Sequence, residues 1–310
     1  MPSALDPAGP ASTAIGRLYW VLLALCVFVY VAVMAAALAG ALAKRGKEAT
    51  AGTDRRLRFI VCVAIGLTVV AVLGVLALSA RTGSALASTR SQQGIEIRVT
   101  GHQWWWQIEY PGRAPQDRFE TANELHVPTG TPIHLSLISN DVIHSLWTPN
   151  LHGKRDLFPG RTTTLDWVAD REGTYRGVCA EFCGHQHAHM GLLVIAEAPA
   201  AFEAWSARQR TNAVAPQAEA AQRGKDVFLS AQCALCHTVR GTPAGGRMGP
   251  ELTHVASRQT LAAVTLPNQL EPLKDWISNP QAIKPGNLMP PSPLTASQIG
   301  DVAAYLQELH

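Results

Sequence analysis

From Leu18 to Ala43, and again from Leu57 to Ala80, polar positions almost vanish. Each run of roughly 25 apolar residues is long enough to cross a hydrocarbon core of about 30 Å as a slightly tilted helix, so two membrane spans are expected. Past residue 93 the long runs give way to short alternating segments broken by turn residues: Gly94 to Thr100, Ile133 to Leu137, Thr162 to Trp167 and Gly191 to Ala196. Period-two alternation with Pro-Gly, Pro-Thr-Gly and Glu-Gly turns predicts an antiparallel β-sandwich or barrel. Between 198 and 216 the chain turns Ala-rich and polar, which reads as a linker with a short helix around Phe202 to Arg210. From Gln217 the pattern becomes helical, and the last helix places Ile299, Val302, Ala303, Leu306 and Leu309 on one face behind a cap at Thr295.

Charge places these parts. The net charge of +3 over 310 residues is too small for a nucleic-acid binder. Between the two apolar runs lie Lys44, Arg45, Lys47, Arg55, Arg56 and Arg58 against only Glu48 and Asp54. The positive-inside rule assigns that loop to the cytoplasm and both chain ends to the outside. A cleaved leader ending in Ala-Leu-Ala at 41–43 is the alternative for the first run. Leaders carry an apolar region of about 7–15 residues with positive charge ahead of it, and here only Arg17 precedes the run.

Six cysteines divide into Cys26 and Cys62 in the apolar runs and two close pairs, Cys179 with Cys183 and Cys233 with Cys236. Both outer pairs sit beside histidines at ligand spacing, which points to metals rather than to structural disulfides. Cys-X-X-Cys-His at 233–237 is the pattern for covalent c-type haem, with both thiols on the porphyrin and His237 as axial ligand. The helical surroundings argue against a redox dithiol, and no second thiol pair follows to complete a zinc site. Met289 in Gly-Asn-Leu-Met-Pro-Pro, rather than Met248, is expected as the sixth ligand, and Pro250 as the acceptor for the free nitrogen of His237.

The stretch Cys179-Ala-Glu-Phe-Cys-Gly-His-Gln-His-Ala-His-Met190 gathers thiols, imidazoles and a thioether, the donor set that copper selects. His144, a polar residue in an apolar strand end, is the expected partner from elsewhere in the sandwich. A chaperone carrying one copper ion on Cys-X-X-X-Cys and a distant His is the competing reading; a membrane-anchored copper-binding protein of that kind has no use for the c-type haem or the second span.

Asp141-Val-Ile-His-Ser-Leu-Trp-Thr-Pro149, the 179–190 motif, Gly101-His-Gln-Trp-Trp-Trp106 and the two apolar runs together resemble subunit II of the haem–copper cytochrome c oxidases. The haem motif behind them is similar to the fused cytochrome c domain of the caa-type oxidases, and the resemblance runs from about residue 17 to the C-terminus. It implies a two-helix transmembrane hairpin (1–93, spans about 18–43 and 57–80), an all-β cupredoxin sandwich (94–197), a linker (198–216) and an all-α class I cytochrome c domain (217–310).

The same resemblance implies a binuclear copper A centre: Cys179 and Cys183 bridging both metals, His144 and His187 one on each, Met190 on one copper, and the Glu181 backbone carbonyl on the other. The Glu181 side chain would reach a magnesium or manganese ion at the boundary with subunit I, and Trp104 would receive the electrons. His185 and His189 fall outside the family's ligand position. The implied function is the electron-accepting, non-catalytic subunit of a proton-translocating cytochrome-c oxidase. Implied partners are subunits I and III, membrane lipid, and cytochrome c or a quinol-cytochrome c reductase complex as donor. The implied location is the bacterial inner membrane, with the copper and haem domains on the periplasmic or outer side. One departure stands out: the start of the second span, Arg55-Arg-Leu-Arg-Phe-Ile-Val61, lacks the acid, Trp-Thr and proline associated in the family with proton uptake, so no residue here is given that role.

Overall fold

The computed structural model describes residues 2–42, 51–87, 92–112 and 114–310. The chain divides into two units, residues 13–88 and the remainder.

The first unit holds most of α1 (Pro10–Leu42) and α2 (Ala51–Ala87), both longer than the apolar runs because helix continues into their polar flanks. Both are long and apolar enough to cross a membrane, with mean hydropathy of 2.8 and 2.9 over their best windows. Trp20, Phe28, Tyr30, Phe59 and Leu67 are all exposed, so the helices are apolar on every side, as lipid-facing helices are. Lys44, Arg45, Lys47 and Glu48 of the expected cytoplasmic loop lie outside the described residues; at its far end Arg58 pairs with Asp54 at 2.8 Å.

The second unit is built around a β-sandwich. One sheet orders β3 (Phe119–Ala122), β2 (Trp105–Tyr110), β1 (Ile95–His102), β5 (Ile133–Ser139) and β8 (Thr163–Trp167). The other orders β4 (Glu124–Pro128), β10 (Gly191–Glu197), β9 (Gly173–Cys179), β6 (His144–Trp147) and β7 (Arg155–Leu157). Alternate residues of both sheets meet in a core containing Ile97, Val99, Trp106, Leu135, Leu137, Trp167, Leu192 and Val194. The pairing is not purely antiparallel as the alternation predicts: β1 runs parallel to β5, and β4 parallel to β10. Each parallel pair joins strands from different parts of the sequence, and side-chain period two is the same for either direction.

The opening residues pack onto this sandwich. Ala8 N and Ser12 Oγ both donate to Asn150 O at 2.7 Å, Asn150 Nδ2 donates to Asp6 O at 2.8 Å, and a Cβ on Gly9 would lie 2.2 Å from Val168 O. The segment expected as a linker is also packed: α3 (Pro199–Gln209) buries Phe202 and Trp205 in the sandwich core, and Trp205 stacks on His126 with ring centroids 4.0 Å apart. Apolar residues at i and i+3 turn a connector into a docked helix.

Beyond it come α4 (Glu219–Ser230), α5 (Cys233–Cys236), the short ribbon β11 (Thr260–Leu261) and β12 (Leu266–Pro267), α6 (Leu270–Ser278), α7 (Pro280–Ile283) and α8 (Ala296–Gln307). The capping box at Thr295 and Gln298 starts α8 as its sequence predicts. The backbones of α4 and α8 approach so closely that a Cβ on Gly224 would lie 1.9 Å from Asp301 O. Around that crossing Phe228, Leu273, Ile277, Ile299, Val302, Tyr305 and Leu306 form the second core.

Candidate metal centres and the wall between them

His144 stands at the start of β6 and is fully buried, with Trp106 edge-on at 6.0 Å. A Cβ on Gly101 would lie 2.8 Å from its Cδ2, so only glycine lets the neighbouring strand pass. Nε2 of the ring lies 2.7 Å from Asp141 Oδ1, and Nδ1 lies 3.9 Å from Cys179 Sγ. A carboxylate on Nε2 holds the proton there and leaves the Nδ1 lone pair facing the sulfur. Asp141 is itself fixed, accepting from Gln103 N at 2.7 Å through its other oxygen.

Cys179 ends β9, and the following loop folds back beneath it. The two sulfurs of Cys179 and Cys183 are 3.7 Å apart, far beyond a disulfide bond, and both thiols are free. Cys183 Sγ lies 3.6 Å from His187 Nδ1 and 3.9 Å from Met190 Sδ, and Cys179 Sγ lies 3.2 Å from Glu181 O. The structure therefore brings together every donor expected of the copper site. His185 and His189 stand apart: His185 is exposed, and His189 Nδ1 is 2.7 Å from Gln186 Oε1. The Glu181 carboxylate is half-exposed, 4.0 Å from Lys154 Nζ.

The hydrogen bond that the two thiols share holds Cys179 well below the usual thiol range and pushes Cys183 far above it. Burial pulls His144 down, but its bonds to Asp141 and Cys179 outweigh that and leave it raised. Two soft thiolate-capable sulfurs, two imidazole nitrogens, a thioether and a carbonyl fit copper by donor type.

The second site is a cavity of about 370 Å³ in the C-terminal part, lined by Cys233, Cys236, His237 and Met289 among Phe228, Leu273 and Leu306. His237 Nδ1 donates to Pro250 O at 2.7 Å, the bond its sequence context predicts. A Cβ on Gly249 would lie 2.6 Å from the ring. Burial lowers the His237 pKa, so the imidazole is neutral and Nε2 free to bind a metal. The Met289 loop is tied down by Gln281 Nε2, which donates to the carbonyls of Asn287 and Met289 at 2.8 Å. Met248 also reaches the cavity but is 69 % exposed. An apolar slot with two thiols, an imidazole and a thioether on its walls fits a covalently held haem.

Trp104 stands between the sites. The residue lines the cavity, and its Nε1 donates to Cys183 O at 2.8 Å, beside Gln103 Nε2 donating to the same oxygen at 2.6 Å. Gly184, at φ +108°, has space for no Cβ without pressing on Trp104 Cζ2 at 3.0 Å. Trp104 is only 6 % exposed, because the loop around Gly286 covers it. Sequence reasoning did not single out Asp141 or Lys284. Asp141 lies three residues before His144, a spacing that could have suggested a ring partner; Lys284 gives no such signal.

The family described as cytochrome c oxidase subunit II, periplasmic domain, matches residues 95–197, and the family described as cytochrome c matches residues 221–310. The chain is 36 % identical over 216 residues to cytochrome c oxidase subunit 2 of Alkalihalophilus pseudofirmus, covering 69 % of this chain and 61 % of that one. It is 32 % identical over 233 residues to the same subunit of Bacillus sp. PS3, covering 71 % and 64 %. The chain thus spans a little under two thirds of the length of these curated relatives. The solved periplasmic domain of subunit II of cytochrome oxidase from Bradyrhizobium japonicum aligns at 28 % identity and a TM-score of 0.36, over 38 % of this chain and 95 % of that one. Sandwich and haem-type fold together define a cupredoxin-like domain joined to a cytochrome c domain. Residues 95–197 belong to the family of the cytochrome c oxidase subunit II periplasmic domain, and a cytochrome c domain is fused behind them at 221–310.

Proposed function

We propose that this chain is the electron-accepting subunit of a haem–copper terminal oxidase, receiving electrons in its own C-terminal domain and delivering them through Trp104 to the sulfur-rich site. The observation that carries the reading is the position of Trp104, which lines the haem-type cavity and donates from Nε1 to the carbonyl of Cys183.

Cys179, Cys183, His144, His187, Met190 and the Glu181 carbonyl would hold the copper pair, while Cys233, Cys236, His237 and Met289 would hold haem c. When bound, the two groups supply one-electron storage with little change of geometry. The chain's own residues make that possible. Asp141 fixes the His144 tautomer, Pro250 fixes that of His237, and the tight packing of both rings keeps water out. Both sites are closed by protein donors, which suits electron passage and leaves no position for substrate.

The division into a hairpin to residue 93, a copper domain at 94–197, a connector at 198–216 and a haem domain at 217–310 belongs to this proposal. So do the partners: subunit I, in which haem and copper reduce oxygen to water with proton pumping, subunit III, surrounding lipid, and cytochrome c or a quinol-cytochrome c reductase complex as donor. The half-exposed Glu181 carboxylate is available for a magnesium or manganese ion at the subunit I boundary. The hairpin anchors the chain in a bacterial inner membrane with the sandwich on its periplasmic or outer face.

The test is the full chain produced in membranes with haem maturation and copper supplied. Two coppers per haem, sharing one delocalised unpaired electron by paramagnetic resonance, is the expected result. One localised copper would overturn the reading in favour of a copper carrier.

A further inference from the structure

A lysine buried to 2 % exposure needs a reason, because removing an ammonium group from water is costly unless its protons are satisfied. Lys284, at the end of α7, has two main-chain acceptors, and they lie in different domains. Its Nζ donates to Trp104 O at 2.7 Å and to Ala262 O at 3.1 Å. A methionine or leucine would fill the same volume without the desolvation cost, but neither reaches two carbonyls on opposite sides of a junction.

The acceptor on its own side is unusual too. Ala262, Ala263 and Val264 form a run of left-handed backbone at φ 51°, 59° and 65°, a conformation that non-glycine residues keep only where their surroundings hold them. Lys284 bonds the first carbonyl of the run, and Gly191 N of the sandwich donates to Ala263 O at 3.0 Å. Nearby, the Glu124 carboxylate on β4 accepts from Gln259 N at 2.8 Å and Thr260 N at 2.9 Å, and Gln186 Nε2 donates to Pro285 O at 2.9 Å. The bonds of Gly191, Glu124 and Gln186 all cross from the sandwich to the segments that wall the cavity, and the Lys284 bond that crosses ends on Trp104 itself.

We propose that Lys284 is a positioning residue: its ammonium group clasps the Trp104 main chain to the strained 262–264 turn and so fixes the indole against the haem-type cavity. This rests on the electron route proposed above and deepens it, since a route through one side chain depends on that side chain's placement. Its hydrogen bonds go to main-chain carbonyls and not to the copper donors or the axial pair, so its geometric hold acts through Trp104, while its charge also reaches Cys183.

The experiment uses the full chain loaded with haem and copper, as wild type, Lys284→Met and Lys284→Gln. Two quantities are read: amide hydrogen exchange in peptides spanning 103–106 and 258–266, and the rate at which an electron photoreleased into the haem reaches the copper pair. The expected result is exchange at least tenfold faster in both peptides and transfer slowed by about tenfold or more, with haem and copper spectra unchanged. Exchange and transfer at wild-type rates in the variants would overturn the role of Lys284 while leaving the route standing. Loss of either metal spectrum in both variants would also overturn it, marking a general structural residue. Should Lys284→Met fail to fold, Lys284→Gln, which keeps a polar head without the reach, decides by the same readouts. A wild type that passes no electron from haem to copper would remove the route itself, and the inference with it.

Discussion

Trp104 Nε1 and Cys183 O are joined by a 2.8 Å hydrogen bond, although 79 residues separate them in sequence. The bond makes the loop before β2 and the loop after β9 a single rigid piece. Its two anchors are the same residues that face the cavity on one side and the copper donors on the other. Around it, at the domain junction and in the sandwich, four residues give testable expectations.

Asp141→Asn can turn an amide N–H toward His144 Nε2, driving the ring proton to Nδ1, where it faces the Cys179 sulfur. Copper affinity should fall by about 10- to 100-fold, the usual effect of losing the partner that orients a ligating imidazole. A competition titration with a copper chelator checks it. Unchanged affinity would show that packing alone orients the ring.

Gly101→Ala places a methyl 2.8 Å from His144 Cδ2, and the fully buried ring has no free space to move into. The copper resonance spectrum should change while the haem optical spectrum stays as in wild type. Equal disturbance of both spectra would mean that the strain spreads through the whole unit.

Glu124→Ala strips the acceptor from the main-chain N–H groups of Gln259 and Thr260 at the domain junction. Leaving these part-buried donors unpaired should cost about 1 kcal/mol. The loss should appear in the denaturant midpoint of the C-terminal domain followed through its haem absorbance. A midpoint within error of wild type would show that water reaches those donors.

His152 is buried against Trp167 with ring centroids 5.4 Å apart, and desolvation lowers its pKa from 6.5 to about 4. The folded protein keeps it neutral while the unfolded chain takes up the proton, so stability is lost as pH falls from 6.5 and the full loss is reached below 4. The gap is worth about 3 kcal/mol. His152→Gln should remove that part of the acid slope when unfolding free energy is measured between pH 7 and 4. An identical slope would mean that other groups carry it.

Features that depend on neighbours in sequence were legible before any coordinates. The apolar runs, Cys-X-X-Cys-His with Pro250 13 residues behind its histidine, and the Thr295 cap are all set within short contiguous stretches, and local spacing carries their chemistry. What escaped depends on distant partners. The parallel pairing of β1 with β5 and of β4 with β10 leaves no trace in an alternation that looks the same either way. The helix holding Phe202 and Trp205 read as part of a linker because its polar positions outnumber the two aromatics that dock it. Nothing in the sequence marks Lys284 and Glu124 as buried, since burial of a charge is decided by what folds over it.

The covering of Trp104 by the Gly286 loop changes the kinetics that the chain can show. A separate donor would find that indole by diffusion, at a rate set by its concentration and by salt-dependent steering. Here the neighbour is supplied by the same polypeptide, so on the proposed route the step into the sandwich is first order. Dilution does not slow it and ionic strength does not screen it; both variables act only on whatever reaches the outer rim of the cavity.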